Sequence, residues 1–215
     1  MNYLQIVNSV LRRLRETEVS SVSDNAYSKM IGEFVNDSKR NVEDAFNWNA
    51  LTDTLSATTA ADVFNYVLVG SGQRFRVLNV INDTSNLFVR EATGRWMDEK
   101  FLVDTPSKGT PEYYNFNGVD SNGDTQVDLF PIPNNTYNIR FNLVIPQSAL
   151  SADSDVLKVP SEPVVFLAFA RALAERGEDG GLASNEAYAL YKQSLSDAIA
   201  LEANRYAEDT QWYSI

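Results

Sequence analysis

The sequence predicts an α+β fold: an antiparallel four-helix bundle built from N- and C-terminal helix pairs, with an inserted antiparallel β subdomain. Three observations predict it. Near both ends of the chain, apolar residues recur at spacings of three and four, the mark of helices that bury one stripe. From about residue 49 to 146, short runs of Val, Phe, Tyr and Leu are punctuated by Gly, Asn, Asp and Pro, the pattern of strands and turns. No repeat or low-complexity tract interrupts this order, so the β region reads as a subdomain inserted between the halves of one bundle. The organisation is then residues 1–48 as the first helix pair, 49–146 as the β subdomain, 147–206 as the second pair and 207–215 as a C-terminal docking tail.

Leu4, Val7, Leu11 and Leu14 place one buried stripe on a helix over residues 3–15, with Arg12, Arg13 and Arg15 mostly off it. Residues 17–24 are rich in Ser, Thr and Asp, which compete with helical backbone bonds, and read as a turn ending in an N-cap at Ser23 or Asp24. The second helix runs to about Phe46, with Met30, Ile31, Phe34, Val35, Val42 and Phe46 inward and Asp37, Lys39, Arg40, Glu43 and Asp44 on the wet face.

Strands are predicted over residues 64–69, 75–81, 87–91, 113–116, 126–130 and 137–143. In the last of these, Tyr137, Ile139, Phe141 and Leu143 alternate with polar residues, so one face is buried. Asn122-Gly123 is a hairpin turn, because both residues tolerate positive φ. Residues 96–102 read as a short helix across the sheet.

Ser161-Glu162-Pro163 fits a helix start, since Pro is tolerated in the first turn and Glu favours the positive end of the dipole. Residues 164–170 are apolar on nearly all sides, as suits the middle of a bundle. Gly177 and Gly180-Gly181 mark a turn before a last helix over about 184–206, with Tyr188, Tyr191, Leu195, Ala198 and Ile199 facing inward.

Composition narrows function. With 44% hydrophobic and 22% charged residues the chain is of ordinary globular character. It has no stretch near the ~18 apolar residues of a membrane span and no signal-peptide pattern at its start. The absence of Cys removes disulfides and thiolate chemistry. The absence of His removes the usual general base and the Ser-His-Asp triad, and with Cys also missing the common zinc sites go too. No cofactor, metal site or catalytic residue is expected, and no enzyme. A net charge of −11 opposes tight binding to nucleic acid, whose affinity rests on basic side chains at the phosphates.

Three constellations have bland readings beside sharper ones. Residues 120–124, DSNGD, resemble a calcium loop, but Thr125 and Pro131 stand where an EF-hand needs Gly and Glu, which favours a hairpin turn. Gly70-Ser71-Gly72 lacks the Lys-Ser/Thr pair of a phosphate loop and reads as a turn between strands. Tyr113, Tyr114 and Phe116 rank as core first, subunit interface second and sugar platform third. From them, and from the many carboxylates, comes an alternative function: a carbohydrate-binding or glycan-cleaving tail module.

Several phrases carry a resemblance to a family. Leu11-Arg12-Arg13-Leu14-Arg15, then residues 34–48 (FVNDSKRNVEDAFNW), then 118–124 (GVDSNGD) leading to 129–133 (LFPIP), and the closing helix over 183–203 resemble the head-to-tail adaptors of short-tailed phages, the tail tubular protein A family. The resemblance spans nearly the whole chain, on structural phrases rather than a chemical signature. It implies a non-enzymatic virion protein of the tail or neck, made in the bacterial host cytoplasm. It also implies a homo-oligomeric ring, commonly of twelve subunits, between the portal protein and the tail nozzle protein, with DNA running through without specific binding. An acidic wall suits such a conduit, because like charge keeps DNA off within a Debye length of about 8 Å. The same −11 also serves simple solubility.

The segment 207–215, AEDTQWYSI, carries more apolar surface than a solvated terminus needs. Aromatic anchors in a partner's pocket are common interface hot spots. Trp212, Tyr213 and Ile215 are therefore the expected partner-binding residues, toward the portal or a neighbouring subunit, with folding back onto their own helices as the alternative.

Overall fold

In a computed structural model, residues 1–177 and 181–205 are described. The chain divides into two compact units, one formed by Met1–Leu51 with the residues from Gln147 on, the other by Thr52–Pro146.

In the first unit, α1 (Tyr3–Arg13) and α2 (Ala26–Ala45) each begin at an Asn. Asn2 accepts from the N–H of Gln5 and Asn25 from that of Ser28, and in both cases the third residue reaches back to close a capping box. The N-cap expected at Ser23 or Asp24 is thus displaced by one residue. Asp24 instead accepts from the N–H groups of Ser20 and Ser21 and shapes the turn before the helix. α4 (Ser161–Arg176) and α5 (Leu182–Ala203) follow the return from the β unit, separated by Gly177 and Gly181, both at positive φ.

The predicted four-helix bundle with an inserted β subdomain is not what forms, although the α+β class stands. The described residues hold five helices, and ten strands in three sheets. α1, α2 and α4 pack against one another, and α4 is buried through Val164, Val165, Leu167, Ala168 and Ala170. α5 leans chiefly on α4 and buries no more than Ala187, Tyr191 and Glu202. Tyr188, expected inward, is exposed, and Leu195, Ala198 and Ile199 are half-buried. The physical reason is that apolar and polar residues are mixed around α5, so its sequence did not single out the one face that α4 covers.

Three side-chain clasps tie loops to these helices. Asn8 bonds both backbone groups of Val19, and Asn36 both backbone groups of Leu150. The third is ionic: Lys39 and Glu43, one turn apart on α2 and each 3% exposed, pair at 2.9 Å. Lys39 donates to the carbonyl of Gln147 and Glu43 accepts its N–H. Both residues were assigned to the wet face. They are instead the inner face of a clamp that sequence periodicity cannot reveal.

Tyr3 is 6% exposed and receives a hydrogen bond from Asn36, beside Gly32, where an added methyl would strike the Tyr3 hydroxyl and Val22. Burial first, then the charges of Glu33 and Asp153, push the Tyr3 hydroxyl up to about 12. The folded state therefore holds its proton after an unfolded Tyr, near 10, has lost it, so stability falls as pH rises from about 10 to about 12. The expected loss is roughly 2–3 kcal/mol across that window. Alkaline titration of the unfolding midpoint should show the fall in the parent and a shallower one in Tyr3→Phe; parallel curves would refute this.

The second unit is two four-stranded sheets closing on one core, with a two-stranded ribbon beside them. The first sheet has the order β1 (Thr52–Thr58), β10 (Asn138–Val144), β3 (Arg76–Asn82) and β4 (Leu87–Phe88), all antiparallel. The second runs β2 (Asn65–Val67), β8 (Thr125–Phe130), β7 (Tyr113–Val119) and β5 (Arg90–Glu91), the last pair parallel. β6 (Lys108–Gly109) and β9 (Ile132–Pro133) form the ribbon. The single strand predicted over 87–91 is split at buried Val89, where the chain passes from one sheet to the other. β1 was not predicted at all. α3 (Gly94–Phe101), capped by Thr93, corresponds to the short helix expected near Trp96 and lies against β7.

Candidate functional site

The predicted partner-binding residues Trp212, Tyr213 and Ile215 lie outside the described residues. The described chain ends at Arg205, and the surface around it is the most site-like part of the first unit. After α2 the chain turns so that Trp48, 1% exposed, donates its indole N–H to the carbonyl of Val42 at 2.6 Å and meets Phe46 edge-on at 5.6 Å. A 3-10 turn, Asn49–Leu51, follows. Glu202 of α5 accepts the N–H of Asn49 at 2.8 Å and pairs with Arg205 at 3.1 Å. The end of α5 is therefore hydrogen-bonded to the peptide that leads into β1.

Between that turn, the Lys158–Pro160 approach to α4 and the last turns of α5 lies a groove of about 400 Å³. Trp48, Val159, Pro163, Ala198 and Leu201 supply apolar walls, and Lys158, Glu162, Asp197 and Arg205 a rim of both charge signs. Its size is near the lower end of the ~300–1,000 Å³ typical of ligand clefts. Its apolar walls suit an apolar side chain, and Ser194 adds a hydroxyl to the lining. Leu201 is 73% exposed on the groove's edge.

The outer side of α5 extends this picture. Leu182, Tyr188 and Leu190 are exposed along with Leu201, on a helix that packs chiefly on α4. Leu182, Leu190 and Leu201 lie within about 100° of one another around the helix, a one-sided row that a protein partner can cover.

The other candidates resolve into structure. Asp120 accepts the N–H groups of Asn122 and Asp124 and so organises its own hairpin, with Gly123 at φ 86°. Asp124 accepts the N–H groups of Gly70 and Gly72, at 3.0 Å each, which hold its carboxyl below the usual range. The Gly-Ser-Gly turn does cradle an anion, one supplied by the chain itself. Among the described residues, no three His, Cys, Asp or Glu side chains are placed to hold a metal ion.

Tyr114 is 4% exposed in the core between the sheets, and Phe116 packs edge-on against Tyr114 and Phe75. Tyr113 tilts against Trp96 of α3, with ring centres 4.7 Å apart, and Trp96 also meets Phe130 and carries Lys100 over its ring. These rings pack on one another, and Tyr113 and Trp96 are half-buried.

Sequence reasoning missed the Glu202–Asn49 bond and the Lys39–Glu43 clamp. Both join residues more than 100 positions apart, and neither has a local signal. No helix of the described residues is long and apolar enough to cross a membrane.

No curated protein is measurably similar to the chain. The family model described as SU10 adaptor protein matches residues 1–213. A match over residues 1–213 covers both units, and the earlier resemblance to phage adaptors rested on phrases spread across the same span. The chain belongs to the SU10 adaptor protein family and is a structural adaptor of a phage particle.

Proposed function

We propose that the chain is the repeating subunit of a ring that connects the portal protein to the tail nozzle protein and forms part of the channel through which DNA is ejected. The observation that carries this reading is α5, which packs chiefly on α4 and leaves Leu182, Leu190 and Leu201 in water. A repeating neighbour is the economical cover, because a heterologous contact that closes on itself makes a ring. Family membership supports a structural role rather than turnover. The net charge of −11 suits a wall that DNA passes without sticking. The ring carries, by resemblance, about twelve copies, the usual closed cyclic logic applying.

Within this reading Trp212, Tyr213 and Ile215 are the residues that dock on the portal or on a neighbouring subunit. The mass of the purified protein, alone and mixed with its portal, tests the whole proposal. A discrete portal-bound oligomer is expected, and a protein that stays monomeric with portal present would overturn it. Deleting residues 210–215 should leave the unfolding midpoint nearly unchanged while impairing portal binding or ring formation. If the truncated protein unfolds earlier yet assembles normally, the docking role of the tail is wrong.

A further inference from the structure

The groove beside Trp48 poses a question of occupancy. Its walls are apolar, Leu201 stands 73% exposed on its edge, and Arg205 on its rim is the last described residue. Beyond Arg205 lie residues 206–215, YAEDTQWYSI, with large apolar side chains at Trp212, Tyr213 and Ile215. Ala198, on the groove wall, is seven residues before Arg205, a rise of roughly 10 Å along a helix. Trp212 is seven residues after it, a reach of up to roughly 23–25 Å when extended. The tether is thus about twice the distance to be covered, which leaves slack for a reversal through the polar residues Glu208 to Gln211. A segment held at the groove's own mouth acts at an effective concentration of about millimolar, well above that of other copies in dilute solution.

We infer that, in the free subunit, this groove seats the chain's own C-terminal aromatic end, Trp212 foremost, and that assembly hands the same end to a partner. The inference rests on the reading that the tail docks on the portal or a neighbour, and adds where it waits beforehand. The seat covers Leu201 and the walls at Ala198 and Pro163. It also keeps the tail's aromatic residues from premature association. The latch is weak, because the partner must be able to take the tail away.

The chain has no Cys, so paired substitutions report cleanly. Ser194 lines the groove and Ser196 is exposed on the opposite face of α5. Ser194→Cys with Ser214→Cys, oxidised by diamide at low protein concentration, should close an intramolecular disulfide at least ten-fold faster than Ser196→Cys with Ser214→Cys. The locked protein should fail to bind portal and regain binding on reduction. Equal closure rates for the two pairs would overturn the inference, as would covalent dimers from the Ser194→Cys pair, which would mean that the groove takes another copy's tail. The docking reading stands or falls separately. Loss of portal binding on truncation with equal closure rates keeps that reading and removes the seat; fast closure with normal assembly of the truncated protein does the reverse.

Discussion

Replacing Lys39 with Met is expected to destabilise the helical unit by about 3–5 kcal/mol, the cost typical of breaking a buried ion pair from one side. Lys39 and Glu43 sit at 2.9 Å with side chains 4% and 1% exposed. Removing the ammonium leaves a carboxylate whose second oxygen, Oε2, already has no hydrogen-bond partner. It also frees the carbonyl of Gln147, at the point where the chain returns from the β unit. Urea denaturation followed by helical circular dichroism measures the effect. The double variant Lys39→Met, Glu43→Leu should regain most of the loss, since two apolar side chains of similar volume bring no buried charge. A single variant with an unchanged midpoint would show that the pair is solvated in the folded protein and that the clamp is wrong.

Phe141→Ala should cost the β unit a comparable roughly 3–5 kcal/mol, through lost burial and the cavity left behind. Phe141 is fully buried on β10, the strand paired on both sides by β1 and β3, and its ring meets that of Tyr114 across the core at 6.0 Å. The cavity would therefore open where the two sheets face each other. Phe88, 69% exposed on the short edge strand β4, is the matched control, and Phe88→Ala should stay within about 0.5 kcal/mol. The two midpoints, read by near-ultraviolet circular dichroism, decide the matter: equal losses would mean that Phe141 is not the centre of this core.

What could be read from the residues alone was whatever depends on near neighbours in the chain. The stripes of α1 and α2, the Pro in the first turn of α4, the Asn122-Gly123 turn and the alternation around Phe141 are local patterns, and each sits in the element it suggested. The family was legible too, because its phrases lie along the whole sequence and the match covers residues 1–213.

Tertiary structure decided the rest. β1, Thr-Asp-Thr-Leu-Ser-Ala-Thr, has two apolar residues in seven and no strong strand pattern of its own, yet it pairs residue for residue with β10 from Thr52 opposite Val144 to Thr58 opposite Asn138. Val89 divides one apparent strand between two sheets because its neighbours are claimed by different partners, β3 before it and β7 after it. Lys39 and Glu43 look like a solvated pair until Gln147 arrives from 104 residues away or more. α5 mixes apolar and polar residues around its axis, so what covers it is a matter of which surface meets it. Local sequence sets the conformation of a segment through capping, turn chemistry and periodicity; burial and pairing are properties of two segments at once, and the free energy that selects them comes from contacts a single stretch does not contain.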